Sequence, residues 1–201
     1  MTDVAVSSIK VQGHRAIRDA YGETLVDLGE KMDNLVVLEA DVGSSTKSAL
    51  FGKTYPERYF NVGIAEGNMA AMAAGFAACG KIPFINTFAV FAMLRAADPL
   101  RTLIAYTGLN VKIAGAYGGL SDSYDGATHQ AVEDIAIARA IPNITVVVPT
   151  DAVETEQAVW AVARHNGPVY LRLSRAVVPT IFDATDQFAV GKARRLRKGS
   201  D

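Results

Sequence analysis

Apolar and polar residues alternate along this chain in two rhythms. Over 14–32 the apolar side chains return at helical spacing (Ile17, Ala20, Tyr21, Leu25, Leu28) with charges between them, which predicts an amphipathic helix. After Asp33-Asn34 comes a continuous apolar run, Leu35 through Ala40. A run of this kind, without polar alternation, fits a strand covered on both faces, as in a parallel sheet. It ends in a polar loop over 41–46. The same grammar then repeats: strands over 58–62, 82–87, 110–116, 144–148 and 169–173, and helices over 65–79, 91–106 and 133–140. A long loop rich in Gly, Ser and Asp follows the strand at 110–116 and runs through about His129. Another helix opens at Asp151 and is stopped by Gly167-Pro168. Asp151 with Glu154 three residues later has the form of a capping box, Asp standing for the usual Ser or Thr. Residues 1–13 read as a loosely held lead-in, 14–182 as one domain and 183–201 as a tail.

Strands alternating with helices predict an α/β fold: a mostly parallel, twisted sheet with right-handed crossovers and helices on both faces. Ligands of such sheets bind outside the carboxyl ends of the strands. This chain sends 41–45, 63–66, 87–91, 117–129, 149–151 and 174–175 to that edge. One Glu, two aromatics, an Asp, a His and an Arg are therefore expected to share it. In the helix over 65–79 the residues after Glu66 are nearly all small or apolar, and a helix apolar on every side is normally buried. Glu66 would then sit at the rim of a core, beside the positive end of the helix dipole. The plain alternative is a first-turn acid facing water.

Half of the 201 residues are hydrophobic, enough for a sizeable core. The 20 basic residues balance 21 acidic ones, which gives no electrostatic case for nucleic acid or an anionic membrane as partner. The single cysteine, Cys79, lies in an Ala/Gly run and reads as a small core residue. It leaves no intrachain disulfide and points to a reducing cytoplasm. No signal segment opens the sequence, and Lys81 and Pro83 close its longest apolar run, so a soluble, cytoplasmic protein is expected. The three histidines, His14, His129 and His165, have no metal-ligand spacing. The run Gly115-Ala116-Tyr117-Gly118-Gly119 lacks the third glycine and the following helix of a dinucleotide site.

Two segments carry a resemblance. The first is Gly63-Ile64-Ala65-Glu66, followed by Pro83-Phe84-Ile85-Asn86-Thr87-Phe88-Ala89-Val90-Phe91; the second is Asp125-Gly126-Ala127-Thr128-His129-Gln130, followed by Glu133-Asp134 and Ile141-Pro142-Asn143. In this order they resemble the pyrimidine-binding domain of transketolase-like enzymes that depend on thiamine diphosphate. The resemblance runs from about Arg15 to Pro179. It implies that Glu66 hydrogen-bonds N1′ of the cofactor's aminopyrimidine and stabilises the imino tautomer. An apolar surrounding, which favours the neutral form of a carboxyl, suits that exchange.

The resemblance also implies that Phe88 and Phe91 border the pyrimidine, Phe91 as the stacking partner, where core packing is the plain alternative. Leu94 stands at the third aromatic position of that pocket, and Ile64 is assigned to the same lining. Asp125 and His129 match residues that contact sugar hydroxyls and carbonyl, and histidine is suited to moving a proton near neutral pH. Arg175 matches a phosphate-binding arginine, with Ser45 and one of Arg15 or Arg18 as helpers; a surface ion pair is the plain alternative for Arg175. Tyr117 departs from the pattern, since transketolases commonly carry a histidine there, and tyrosine carries no positive charge at neutral pH.

The resemblance assigns the diphosphate and a divalent Mg²⁺ or Ca²⁺ to a separate domain marked by Gly-Asp-Gly, a motif this sequence lacks. A diphosphate-binding partner subunit is therefore expected, with self-association and a sugar phosphate as substrate. The tail over 191–199 looks like the entry to the family's third domain, or simply a solvated basic extension. The expected activity is transfer of a two-carbon ketol unit. The alternatives are the β subunit of a 2-oxo-acid dehydrogenase E1, a deoxyxylulose-phosphate-synthase-like enzyme, or a non-catalytic assembly subunit.

Overall fold

The structure is a computed structural model that describes residues 10–193, 195 and 196. In chain order its elements are β1 (Gly13–Ala16), α1 (Ile17–Lys31), β2 (Leu35–Glu39), α2 (Gly43–Thr46), α3 (Ala49–Thr54), a 3₁₀ turn at Pro56–Arg58, β3 (Tyr59–Asn61), α4 (Glu66–Ala78), β4 (Ile82–Phe88), α5 (Ala89–Leu94), α6 (Ala97–Pro99), a π-helical turn at Leu100–Ala105, β5 (Lys112–Ala116), α7 (Asp134–Ala140), β6 (Thr145–Val147), α8 (Ala152–Arg164), β7 (Val169–Arg172) and β8 (Val177–Thr180). Six strands form one sheet in the order β3-β2-β4-β5-β7-β6, and every pairing in it is parallel. The apolar runs are buried as such a sheet requires: all five residues of β2 and all five of β5 are buried.

Alternation along each strand divides the core between the two faces. Val36, Leu38 and Ile85 pack with α4 and α5, whereas Leu35, Val37 and Phe84 pack with α1 and α8. The expected layering, helices on both faces of a parallel sheet, is what forms.

The details depart from expectation in several places, each for a local reason. The lead-in is tied down at its end: Gly13 opens β1, which pairs antiparallel with β8, and the Gln12 amide donates to Thr180 O at 2.8 Å. The polar loop after β2 contains α2, and α3 follows it. The single helix expected over 91–106 is three pieces. Pro99 has no amide hydrogen to donate and is tolerated only near a helix start, so the helix restarts at Ala97. Cys79 is exposed rather than in the core. α4 buries one face, Glu66, Met69, Ala70, Ala73 and Ala74, and leaves Ala71, Gly75 and Ala78 in contact with solvent. Beyond β8, Phe182 is buried, and the tail's residues 194 and 197–201 lie outside the described residues.

Two carboxylates fix the loops at the strands' carboxyl ends. Asp151 Oδ1 accepts from the Glu154 amide at 2.8 Å, as a helix cap should, while Oδ2 accepts from the Ile181 and Phe182 amides. The reciprocal arm of the capping box reaches one residue further back, Glu154 accepting from the Thr150 amide at 2.7 Å. Glu39, fully buried at the end of β2, accepts from the Val42 amide and from the Ser48 hydroxyl at 3.0 Å, so α2 is folded around it.

Burial is the main reason that Glu39 is pushed up to about 7, and its hydrogen bonds only partly oppose the shift. A raised carboxyl retains its proton in the folded chain after the unfolded chain has lost it. The stability from that proton is full below the unfolded pKa of about 4.3 and is lost as pH rises to about 7, at a total cost of roughly 4 kcal/mol. Glu39→Gln has no proton to lose. Its melting temperature relative to wild type should rise between pH 5 and pH 8, as measured by calorimetry; parallel curves for the two proteins would contradict this origin.

Candidate functional site

The side chains at the sheet's carboxyl edge form one chain of contacts. Glu66, in the first turn of α4, is only 3% exposed and does not face water. Its Oε1 accepts from Arg95 Nη1 at 2.9 Å. Arg95 follows Phe91 by four residues, so the helical path of α5 carries its guanidinium back over that ring, 3.8 Å from the centroid. Phe91 meets the His129 ring edge-on at 5.1 Å, and Phe88 meets it at 5.9 Å. Phe88 in turn stacks on Tyr117 at 4.5 Å with the rings 13° from parallel. Tyr117, at the end of β5, adopts a left-handed backbone (φ 61°), a conformation that costs a residue with a side chain about 1 kcal/mol or more.

Tyr117 then joins the aromatic half of the edge to a charged half. Its hydroxyl accepts from Arg18 Nη1 at 2.5 Å, and the same nitrogen lies 3.5 Å from Ser45 O. The Arg175 guanidinium lies 5.0 Å from the ring centroids of both Tyr117 and Tyr124. Arg175 Nη1 donates to Asp122 Oδ1 at 2.8 Å. Asp122 is completely buried; burial first, and then the neighbouring Asp125 carboxyl, hold it above the usual carboxylate range, with Arg175 opposing. The Thr128 hydroxyl and His129 Nδ1 are 3.0 Å apart, which orients the ring. Among the described residues the buried side-chain nitrogens and oxygens without a partner are Arg18 Nε, Thr87 Oγ1 and Asp122 Oδ2, and all three belong to this edge. Buried polar atoms are normally satisfied, so orphans gathered at one place mark where a ligand would complete them.

The loop that carries Asp122, Asp125 and His129 is pinned from below. Asp134 Oδ2 accepts from Tyr170 Oη at 2.6 Å and from Arg172 Nε at 2.7 Å, while Arg172 Nη2 donates to Ala131 O at 3.2 Å. Gly118 must be glycine for this to hold, because a Cβ there would lie 2.8 Å from the Arg172 guanidinium.

The sequence-derived candidates Glu66, Phe88, Phe91, Tyr117, His129, Asp125, Arg175 and Ser45 thus fall on one edge. Ile64 and Leu94 are exposed there, 73% and 49%. Of the two helper arginines, Arg18 belongs to the edge, whereas Arg15 is paired with Glu23 and Glu156. Sequence reasoning missed Arg95, Asp122, Tyr124 and Thr87. Thr87, Asp122 and Tyr124 lie in segments that chain order sends to the edge, but nothing in the sequence singles them out; Arg95, outside those segments, carries only its i+4 spacing from Phe91. Among the described residues no group of three or more His, Cys, Asp or Glu side chains is placed to hold a metal ion, and no helix is long and apolar enough to cross a membrane.

An all-parallel sheet with helices on both faces, a buried glutamate and an aromatic cluster at its carboxyl edge defines an α/β domain with its candidate site where ligands of such sheets bind. Residues 14–180 match the family of the transketolase pyrimidine-binding domain, and the chain belongs to that family. It is 46% identical to a protein described as a transketolase C-terminal section from Methanocaldococcus jannaschii, over 96% of this chain and 62% of that protein. It is 40% identical to the 6-deoxy-6-sulfo-D-fructose transketolase subunit SqwH of Clostridium sp. (strain MSTE9), over 96% of this chain and 60% of the relative. The chain thus spans somewhat under two thirds of the length of these relatives. Among solved structures it superposes on a split-gene transketolase, an inactive beta4 tetramer, with a TM-score of 0.78 and 47% identity over 88% of this chain and 57% of that one.

Asp134→Ala leaves the Arg172 guanidinium, 19% exposed, without its counter-charge, which should destabilise the fold by about 3 kcal/mol. Amide exchange should accelerate over 118–131 more than over α8. A uniform increase along the chain would show that Asp134 does not hold the loop.

Proposed function

We propose that this chain is the pyrimidine-domain part of a thiamine-diphosphate-dependent transketolase, moving a two-carbon ketol unit from a ketose to an aldose together with a diphosphate-binding partner subunit. The observation that carries the reading is Glu66: a buried carboxylate at a helix N-terminus, at one end of a line of aromatic rings that leads to His129. The family membership makes a transketolase-type enzyme the frame, and the relatives described as a C-terminal section and as a subunit support a divided assembly. The solvent-facing small residues of α4 and the exposed Ile64 and Leu94 suit burial against that partner.

The residues fit the pyrimidine end of the cofactor. Glu66 would hold a ring nitrogen, Phe91 would offer a flat apolar face, and Thr87 Oγ1 is an unsatisfied polar atom next to Phe88. When bound, thiamine diphosphate supplies the nucleophilic carbon that accepts the two-carbon unit. Arg95 lies on the Phe91 face and must swing aside to admit a ring; it is 49% exposed and has the room to do so. Glu66 then exchanges one charged hydrogen bond for another, so its burial does not become an unpaired charge. His129, held by both phenylalanine edges and by Thr128, is set to donate to a substrate oxygen as charge develops on it. Asp125, on the exposed rim, can accept from sugar hydroxyls. The partner subunit carries the diphosphate and its divalent cation.

This function is tested by co-expressing the chain with a diphosphate-binding subunit and assaying ketol transfer with thiamine diphosphate and Mg²⁺. The expected result is consumption of donor ketose that depends on both chains. Glu66→Gln should lower kcat by about 10²-fold or more while circular dichroism and assembly stay unchanged. Decarboxylation of a 2-oxo acid without ketol transfer would move the chain to the dehydrogenase group. Wild-type turnover by Glu66→Gln would remove the role assigned to that carboxylate.

A further inference from the structure

Arg175 is the arginine that a sugar phosphate would be expected to meet, and in this chain a buried acid already holds it. Asp122 Oδ1 accepts from Arg175 Nη1 at 2.8 Å, with Asp122 completely buried and the arginine side chain 27% exposed. The Arg175 amide donates to Ser121 Oγ at 3.1 Å, and that hydroxyl donates to Gly118 O at 2.7 Å, so the backbone at Arg175 is tied to the same loop that presents Asp122. Tyr117 and Tyr124 lie against the guanidinium, each ring centroid at 5.0 Å. Arg175 is fixed on several sides and its charge is matched.

The other cation on this edge is only partly committed. Arg18 spends Nη1 on the Tyr117 hydroxyl and leaves Nε buried without a partner. Asp125 stands close enough to Asp122 to shift it, so the edge sets two arginines against two aspartates. A phosphate dianion binds best to a fork of unpaired arginine donors. To use Arg175 here it would have to displace a buried carboxylate or lie beside it, and either choice is costly. A sugar hydroxyl meets no such conflict, because it donates to a carboxylate and accepts from a guanidinium at once.

We propose that Asp122 determines substrate class at this site by neutralising Arg175, so that the edge selects sugars ending in an uncharged hydroxyl over their phosphate esters. This rests on the reading that the edge receives a sugar, and it deepens that reading by naming the end of the molecule that is recognised. Asp122 acts through Arg175 and is a positioning residue rather than a catalytic one.

The test uses the assembled two-subunit complex and a double-mutant cycle of Asp122→Asn and Arg175→Met. One arm is calorimetric titration of a pentose 5-phosphate, and separately of inorganic phosphate, without turnover. Asp122→Asn should tighten pentose phosphate binding about tenfold, as expected for removing one adjacent like charge. Arg175→Met should abolish that gain in the Asp122→Asn background and change little in the wild type. Inorganic phosphate should follow the same order, which would assign the effect to the anion and not to the sugar. The second arm compares kcat/KM for a free pentulose donor and its 5-phosphate. Wild type should favour the free sugar, and Asp122→Asn should shift the ratio about tenfold toward the phosphate, mainly through KM.

Tight phosphate binding by wild type, lost in Arg175→Met and indifferent to Asp122→Asn, would overturn the proposal. If the titrations follow the predicted cycle while no ketol transfer occurs with either donor, the neutralisation stands and the transketolase reading fails instead. Asp122→Asn keeps the shape of the buried side chain. A variant that unfolded would be replaced by Asp122→Ser, for which the same tightening is expected.

Discussion

A carboxylate withdrawn from water has to be matched by a positive charge or a hydrogen-bond donor, and at the mouth of α4 that need organises the whole edge. Glu66 is matched by Arg95, and the same guanidinium covers the face of Phe91. One side chain therefore satisfies the acid and shields the ring in the chain by itself. Removal of a partner from a buried charge costs several kcal/mol, so whatever takes Arg95's place must offer Glu66 a hydrogen bond of similar quality. Under the proposed function an aminopyrimidine ring would do so while bringing a flat surface to Phe91.

The sheet makes this possible by setting the distances. Parallel strands deliver every loop to one edge, and buried polar groups then lock each loop separately. Glu39 organises the turn after β2, Asp151 joins the start of α8 to the segment after β8, and Asp134 with Tyr170 and Arg172 supports the long loop that carries His129. Each of these acids is buried. Their bonds are directional, which an apolar core alone would not provide, and the left-handed Tyr117 shows that the loop is held against local preference.

The fold was legible because a parallel sheet writes itself into sequence as unbroken apolar runs between helical stretches, and the runs at Leu35–Glu39 and Lys112–Ala116 are buried throughout. Boundaries were less legible where chemistry outside the pattern intervened: Pro99 restarted a helix that periodicity alone would have continued. Short elements such as α2 left no periodic trace, since their stability comes from Glu39 beneath them. At the site, Glu66, Phe88, Phe91, His129 and Arg175 could be proposed in advance because the chain order sends them to one edge. Asp122 could not, because an acid in a Gly/Ser/Asp loop looks like a solvated residue until the loop folds and buries it against Arg175. Cys79 went the other way, since an Ala/Gly neighbourhood promised a core that the lone chain does not build around it.

The proposed function makes this chain one half of a cofactor site, with Arg95 lying over Phe91 until a ring ligand displaces it. The most direct measurement is calorimetric titration of thiamine diphosphate with Mg²⁺ into the chain alone, the diphosphate-binding subunit alone and their mixture. The account predicts millimolar or weaker binding to the lone chain and a gain of about 10²-fold or more only in the mixture. Tight binding by the lone chain, with no gain on adding the partner, would contradict it.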